Sequence, residues 1–181
     1  TSVPESAHSG RNWDYRYCWL RDAYFAVGAL NRLGATRTME GFIRFVLDAV
    51  LVGERDGAIA PLFPVCPPGE LVEKTAPALR GYRGMGPVRV GNAASMQVQN
   101  DAYGSIVLTA AQMFFDSRLS SAGDVALYEQ LRHVGRLAVK QAFEPDAGPW
   151  EYRGRLLPHT YPAAMCWAAV HRMGLIAARL G

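Results

Sequence analysis

Arg11-Asn-Trp-Asp-Tyr-Arg-Tyr-Cys-Trp-Leu-Arg-Asp22 is the stretch from which the fold is read. Most of it is aromatic, Arg or Asp, and it runs directly into an apolar periodic segment. Leu20, Ala23, Val27 and Leu30 fall at three- and four-residue spacings, which predicts a helix over Trp19 to Leu33, with Gly34 as its C′ stop. The helix therefore has a polar, aromatic start and an apolar body. Helix starts present unpaired N–H groups and a positive dipole end to whatever they face. If several such starts align, they form one polar, aromatic-lined rim over a closed apolar body. A sugar pocket is built this way, with aromatic faces for the C–H side of a ring and Asp or Arg for its hydroxyls. The other reading is that each cluster satisfies only its own helix end.

Helices recur outward from this stretch. Met39, Ile43, Val46, Leu47 and Val50 predict a second helix over Thr36 to Val52, with Glu40 as an acid in its first turn. A third is expected over about Ala93 to Phe115 behind Asn92 as N-cap, polar in its first half (Gln97, Gln99, Asn100, Asp101) and apolar in its second. The fourth spans Val125 to Phe143 and the fifth about Ala163 to Leu180. Residues Gly53 to Gly91 form a connection far longer than bundled helices require, rich in Gly, Pro and Arg. Loops of that length tend to be functional. Pro61 and Pro64 leave its apolar piece, Ile59 to Val65, at best a short edge strand. The expected fold is all-α, in a single domain over residues 1–181.

Composition narrows the function classes. The 181 residues carry a net charge of +3, too little for a nucleic-acid surface, and no nucleic-acid partner is expected. Lys74 and Lys140 are the only lysines among 19 basic residues, a bias toward planar recognition of carboxylates, phosphates or polyols. Cys18, Cys66 and Cys166 are odd in number and far apart, without CxxC, so neither a zinc site nor a disulfide framework is expected. No apolar run reaches spanning length, and the polar stretch Thr1 to Arg16 lacks a leader's apolar segment. The expectation is a cytoplasmic protein without a membrane partner. The four histidines have no ligand-like spacing, and neither GxSxG nor HExxH occurs, so no metal or cofactor is expected.

Three places carry candidate chemistry. Arg21 and Asp22, at the opening of an apolar helix, fit either a fixed polyol clamp or a structural Arg–Asp network under an aromatic lid. Glu151 follows the turn signal Pro145-Asp-Ala-Gly148 and is flanked by Trp150 and Tyr152. Partial desolvation there favours a general acid, contact with Arg153 would oppose it, and the other reading is a loop salt bridge. Asp101 falls within the expected third helix, where aspartate needs either solvent or a partner.

Four blocks in order carry a family resemblance. They are Thr1-Ser-Val-Pro-Glu5 with Arg11 to Ala23; Gly81-Tyr-Arg-Gly84 with Pro87 to Ala94; Gln97, Gln99, Asp101 and Tyr103-Gly104; and Pro145 to Glu151 with Arg153-Gly154. Together they resemble the glucoamylase-like glycoside hydrolases, family 15, in its bacterial glucoamylase and trehalase branch. The resemblance implies an (α/α)6 barrel with the pocket at one end of an inner ring of helices, and exo-acting hydrolysis of α-glucosides with inversion. It implies that Arg21 and Asp22 grip the terminal glucose, that Glu151 protonates the departing oxygen, and that Trp19 and Trp150 wall the pocket. Asp101 and Arg153 stand beside these as substrate-binding candidates.

The chain also departs from the pattern. Nothing matches the surroundings of the family's second glutamate, its general base, and five expected helices fall short of twelve. The expectation is therefore the N-terminal half of a barrel, needing the remainder for turnover, since inversion takes two carboxyls. Met85-Gly86 stands where the family usually has Ser-Arg, Pro162-Ala163 or Ala164 where it has Ser-Lys, and His171 where Asp is common. The leading expectation is a glucoamylase-type enzyme releasing glucose from malto-oligosaccharides. The alternatives are a trehalase of the same family and a carbohydrate-binding remnant without catalysis.

Overall fold

The computed structural model describes residues 3–55, 58–66, 69 and 71–181, with the backbone alone for 51–55. Thr1 and Ser2 of the opening motif, and positions 56, 57, 67, 68 and 70 of the long connection, lie outside the described residues. Among the described residues the chain is all-α, in five helical segments with small two-stranded ladders between them, and divides into two compact units.

The larger unit, residues 20–61 and 97–181, holds every α-helix. Helix α1 (Leu20–Arg32) buries Leu20, Ala23 and Val27, apolar positions of the periodic segment that the opening stretch runs into. It ends as predicted: Gly34 adopts a φ of 71°, Gly34 N–H donates to Asn31 O and Ala35 N–H donates to Leu30 O. That is the paired C-terminal hydrogen bonding for which a glycine at C′ is favoured. Helix α2 (Thr36–Gly53) packs Met39 and Ile43 against Val27 of α1 and Met113. Glu40 lies beyond the first turn of α2, where its carboxylate accepts from Ser120 N–H (3.0 Å) and Arg44 (2.6 Å). It ties down a distant loop rather than complementing the helix dipole.

The third helix differs from expectation. Residues Ala93–Met96 form only a 3₁₀ turn, and Asn92 Oδ1 accepts from Ala94 N–H there, so its capping is spent on that short turn. The α-helix, α3 (Asp101–Ala110), begins later; after a break at Ala111, α4 (Gln112–Phe115) completes the segment. Nine residues of α3 are buried, on all sides, because α1, α2 and two later helices, α5 (Val125–Gln141) and α6 (Thr160–Leu180), all pack against it. Gly104 lets α3 and α6 approach closely: a Cβ there would stand 2.4 Å from Met165 O of α6.

Helix α5 (Val125–Gln141) is capped by Asp124, whose carboxylate accepts from Leu127 N–H at 2.8 Å. Helix α6 (Thr160–Leu180) starts three residues before expectation, because Pro162 sits in its first turn, where no N–H is required. On one side of α6, Trp167, Val170 and Leu175 are exposed.

The smaller unit, residues 1–19 and 62–96, pairs β1 (Tyr17–Trp19) with β4 (Leu62–Pro64), and β5 (Lys74–Thr75) with β6 (Arg89–Val90), both antiparallel. Trp19, Leu62 and Ala94 form its apolar centre. Asp14, fully buried, accepts from Arg16 Nη2 (2.6 Å) and from Gly91 N–H (3.0 Å), and Asn92 donates to its carbonyl. Burial opposes ionisation of Asp14, but these donors outweigh it and hold its pKa at about 2. The ladder β2 (Glu54–Arg55) and β3 (Ala58–Ile59) belongs to the larger unit.

Candidate functional site

The site is assembled in the larger unit, where the starts of α1 and α3 meet the loop carrying Glu151. Arg21 is the second residue of α1, an unfavourable place for a cation against the helix dipole unless acceptors surround it. They do. Arg21 Nη1 donates to Asp101 Oδ2 and to Gln99 Oε1, each at 3.1 Å, and Nη2 donates to Glu151 Oε1 at 3.3 Å. Asp101 opens α3, where a carboxylate suits the dipole, and is only 1% exposed. Burial raises its pKa above the usual aspartate value, with the Arg21 charge opposing.

The glutamate loop is held at its base by Asp146. This carboxylate has no exposed surface and accepts from Asn100 N–H (2.7 Å) and Gly148 N–H (3.1 Å). Its backbone exchanges both hydrogen bonds with Leu157. Burial raises the Asp146 pKa against those donors. Gly148 turns the chain at a φ of 67°, beneath the His159 ring, whose Nε2 would be 2.6 Å from any Cβ. Glu151 follows at a φ of 55°, a left-handed conformation uncommon outside glycine. It is fixed on both sides: Glu151 N–H donates to Gly148 O, and Gln97 Nε2 donates to Glu151 O at 3.2 Å.

The structure thus brings together Arg21, Asp101 and Glu151. Asp22 is exposed in the first turn of α1. Trp150 is 79% exposed, and Arg153 is exposed as well. Trp19 is 7% exposed and packs with Leu62 and Ala94 in the smaller unit. Arg21, 130 positions away in the chain, is a cation beside Glu151 that sequence proximity did not offer.

Two amides escaped the sequence-derived site. Gln99 Nε2 donates to Glu151 Oε1 (3.2 Å) and to Gln97 Oε1 (3.0 Å), completing a ring of hydrogen bonds around the carboxyl. The dense amide and acid run Gln97 to Asp101 was the available signal. Asp146 was legible only as a turn residue. Among the described residues, no group of three His, Cys, Asp or Glu side chains is arranged to hold a metal ion, and no helix is long and apolar enough to cross a membrane. Cys166 is buried beside this site; it donates to Asn100 O, and burial pushes its pKa up to about 12.

A carboxyl that accepts N–H donors from Arg21 and Gln99 and stays 24% exposed can hydrogen-bond to, or exchange a proton with, a bound ligand. Comparison with known proteins bears on what that ligand is. The profile of the Glycosyl hydrolases family 15 matches residues 1–181. The trehalase of Mycolicibacterium smegmatis is 36% identical over 175 residues, covering 95% of this chain and 25% of that protein. The trehalase of Mycobacterium tuberculosis is 36% identical over 184 residues, covering 100% of this chain and 26% of that protein. The trehalase of Thermoplasma acidophilum is 33% identical over 183 residues, covering 99% and 30%. The chain therefore spans about a quarter of the length of the curated relatives it matches. No solved structure matches it significantly.

Proposed function

We propose that this chain, which belongs to the glycosyl hydrolases family 15, is the acid-bearing part of an inverting exo-acting α-glucoside hydrolase whose substrate is trehalose. The observation that carries the reading is the convergence of Arg21 and Gln99 on Glu151 Oε1. The relatives described above are trehalases, which favours trehalose over the malto-oligosaccharides of a glucoamylase-type enzyme, the leading expectation from the sequence.

Glu151 gives its proton to the glycosidic oxygen as the bond from that oxygen to the anomeric carbon breaks. Water attacks that carbon from the opposite face, and a second carboxylate takes the water's proton. We assign that base to the remainder of the protein, which also completes an (α/α)6 barrel over the exposed side of α6. The 181 residues alone are then inactive. Arg21 holds the acid and, with its side chain 16% exposed, grips hydroxyls of the glucosyl unit together with exposed Asp22. Asp101 anchors that grip from behind, and Trp150 and Arg153 extend the site on the solvent side.

The complete protein incubated with trehalose, and separately with maltose, tests this by proton NMR of the first products. Trehalose has two α-linked anomeric carbons, so inversion at one gives equal α- and β-glucose initially. Release of α-glucose alone, or turnover of maltose with none of trehalose, contradicts the proposal.

A further inference from the structure

His159 occupies the N-cap position of α6, at a φ of −124° and a ψ of 139°, yet its side chain makes no capping hydrogen bond. Ser, Thr, Asp or Asn would satisfy an orphan N–H there, so histidine gives up helix stability at this position. Its ring is used elsewhere. Gly148 lies so close that a Cβ on it would stand 2.6 Å from Nε2, 2.8 Å from Cδ2 and 3.0 Å from Cε1. Three ring atoms at such similar distances mean that the glycine meets the face of the imidazole, not its edge. The Tyr152 ring stacks on the same imidazole, with centroids 6.1 Å apart and planes 21° from parallel. Nε2 is buried and stands 3.9 Å from Asp146 Oδ1, beyond hydrogen-bond length, so the hold is one of shape.

Gly148 and Tyr152 are the two ends of the turn that carries Glu151. Within it Glu151 N–H donates to Gly148 O and Tyr152 N–H to Ala147 O, each at 3.0 Å, and Glu151 takes a φ of 55°. A left-handed glutamate persists only where its surroundings impose that conformation. We propose that His159 is a positioning residue for Glu151: its ring, seated on Gly148 and stacked on Tyr152, keeps the turn closed and the carboxyl in place for proton transfer. The proposal deepens the hydrolase reading, and its catalytic part rests on that reading. A flat ring is required at this position, and the imidazole nitrogens are not.

The test uses the complete protein with His159→Phe, which keeps a flat ring, and His159→Asn, which removes the ring and supplies a better N-cap. In His159→Asn, kcat on trehalose falls at least about tenfold, with KM nearly unchanged. α-Glucosyl fluoride, whose leaving group needs little protonation, loses far less, and His159→Phe keeps most of the trehalose rate. Equal losses on both substrates in His159→Asn, or a Phe variant as slow as the Asn variant, overturn the proposal. Amide hydrogen exchange decides without any activity. In His159→Asn the Glu151 and Tyr152 amides exchange faster by roughly two- to tenfold, while in His159→Phe they keep wild-type rates. The Asp146 and Leu157 amides, which bond each other's carbonyls, keep their rates in both variants. Unchanged exchange at Glu151 and Tyr152 in His159→Asn, or an acceleration shared by Asp146 and Leu157, refutes the role of His159. A wild-type protein that shows the expected exchange pattern but hydrolyses no α-glucoside supports the clamp and defeats the functional reading instead.

Discussion

Arg21 Nη2 lies 3.3 Å from Glu151 Oε1, 130 positions away in the chain, while Nη1 of the same guanidinium reaches Asp101 Oδ2 at 3.1 Å. One cation thus serves two carboxylates of different burial: the Asp101 side chain is 1% exposed and that of Glu151 24%. The buried partner fixes the guanidinium, and the more accessible one is left to do chemistry. The residue that holds the proposed acid is thus itself held by Asp101.

Asp101 is therefore expected to hold the guanidinium that reaches Glu151. In Asp101→Asn the charged anchor of Arg21 is lost, and kcat/KM on trehalose falls by at least about tenfold. Asp101→Ala, which removes that anchor altogether, also destabilises the protein by about 1–3 kcal/mol, read from the denaturant midpoint. An unchanged kcat/KM in Asp101→Asn refutes the assignment.

Gly104 fixes the distance between α3 and α6. In Gly104→Ala the new methyl meets backbone atoms of Met165, at 2.4 Å from its carbonyl oxygen, and a backbone cannot swing aside as a side chain does. The helices must part, at a cost of about 1–3 kcal/mol or more. Because Asp101 opens the same helix, kcat/KM on trehalose also falls. A variant with wild-type denaturant midpoint shows that α3 and α6 are not in this contact.

Much of this architecture is legible in the chain before any coordinates. The Leu20, Ala23, Val27 spacing and Gly34 fix α1, because an amphipathic face and a left-handed stop are both local properties. The gap at residues 97–100 is not local. Val98 O accepts from Ala147 N–H, and Gln97 and Gln99 turn to a glutamate more than 50 positions away, so tertiary bonds override helical propensity there. Asp101 could be read equally as solvated or partnered, since its partner Arg21 is 80 positions away. Asp146 gives no signal beyond its turn, although its buried carboxylate holds the loop on which Glu151 stands.

Acid stability follows from Asp14 in the smaller unit. Its pKa is lowered from 3.8 to about 2, so its stabilising contribution is complete above 3.8 and is lost as pH falls through about 2. Asp146 acts in the opposite sense. Its pKa is raised, so its contribution is present below the usual aspartate value and is lost as pH rises through the raised one. Urea midpoints of the complete protein should therefore show Asp14→Asn less stable than wild type at pH 5, with the gap closing toward pH 2. A gap that is constant across that window refutes the role given to the Asp14 carboxylate.

The central claim is that Glu151 is the proton donor, and its leaving-group dependence tests that most directly. Glu151→Gln in the complete protein keeps the side-chain shape and removes the acid. The hydrolysis of trehalose should fall by at least about 10²-fold in kcat, with the alkaline limb gone. α-Glucosyl fluoride, whose departing fluoride needs little protonation, should retain far more of its rate. Equal losses on the two substrates, or a variant that still hydrolyses trehalose at the wild-type rate, contradicts the assignment.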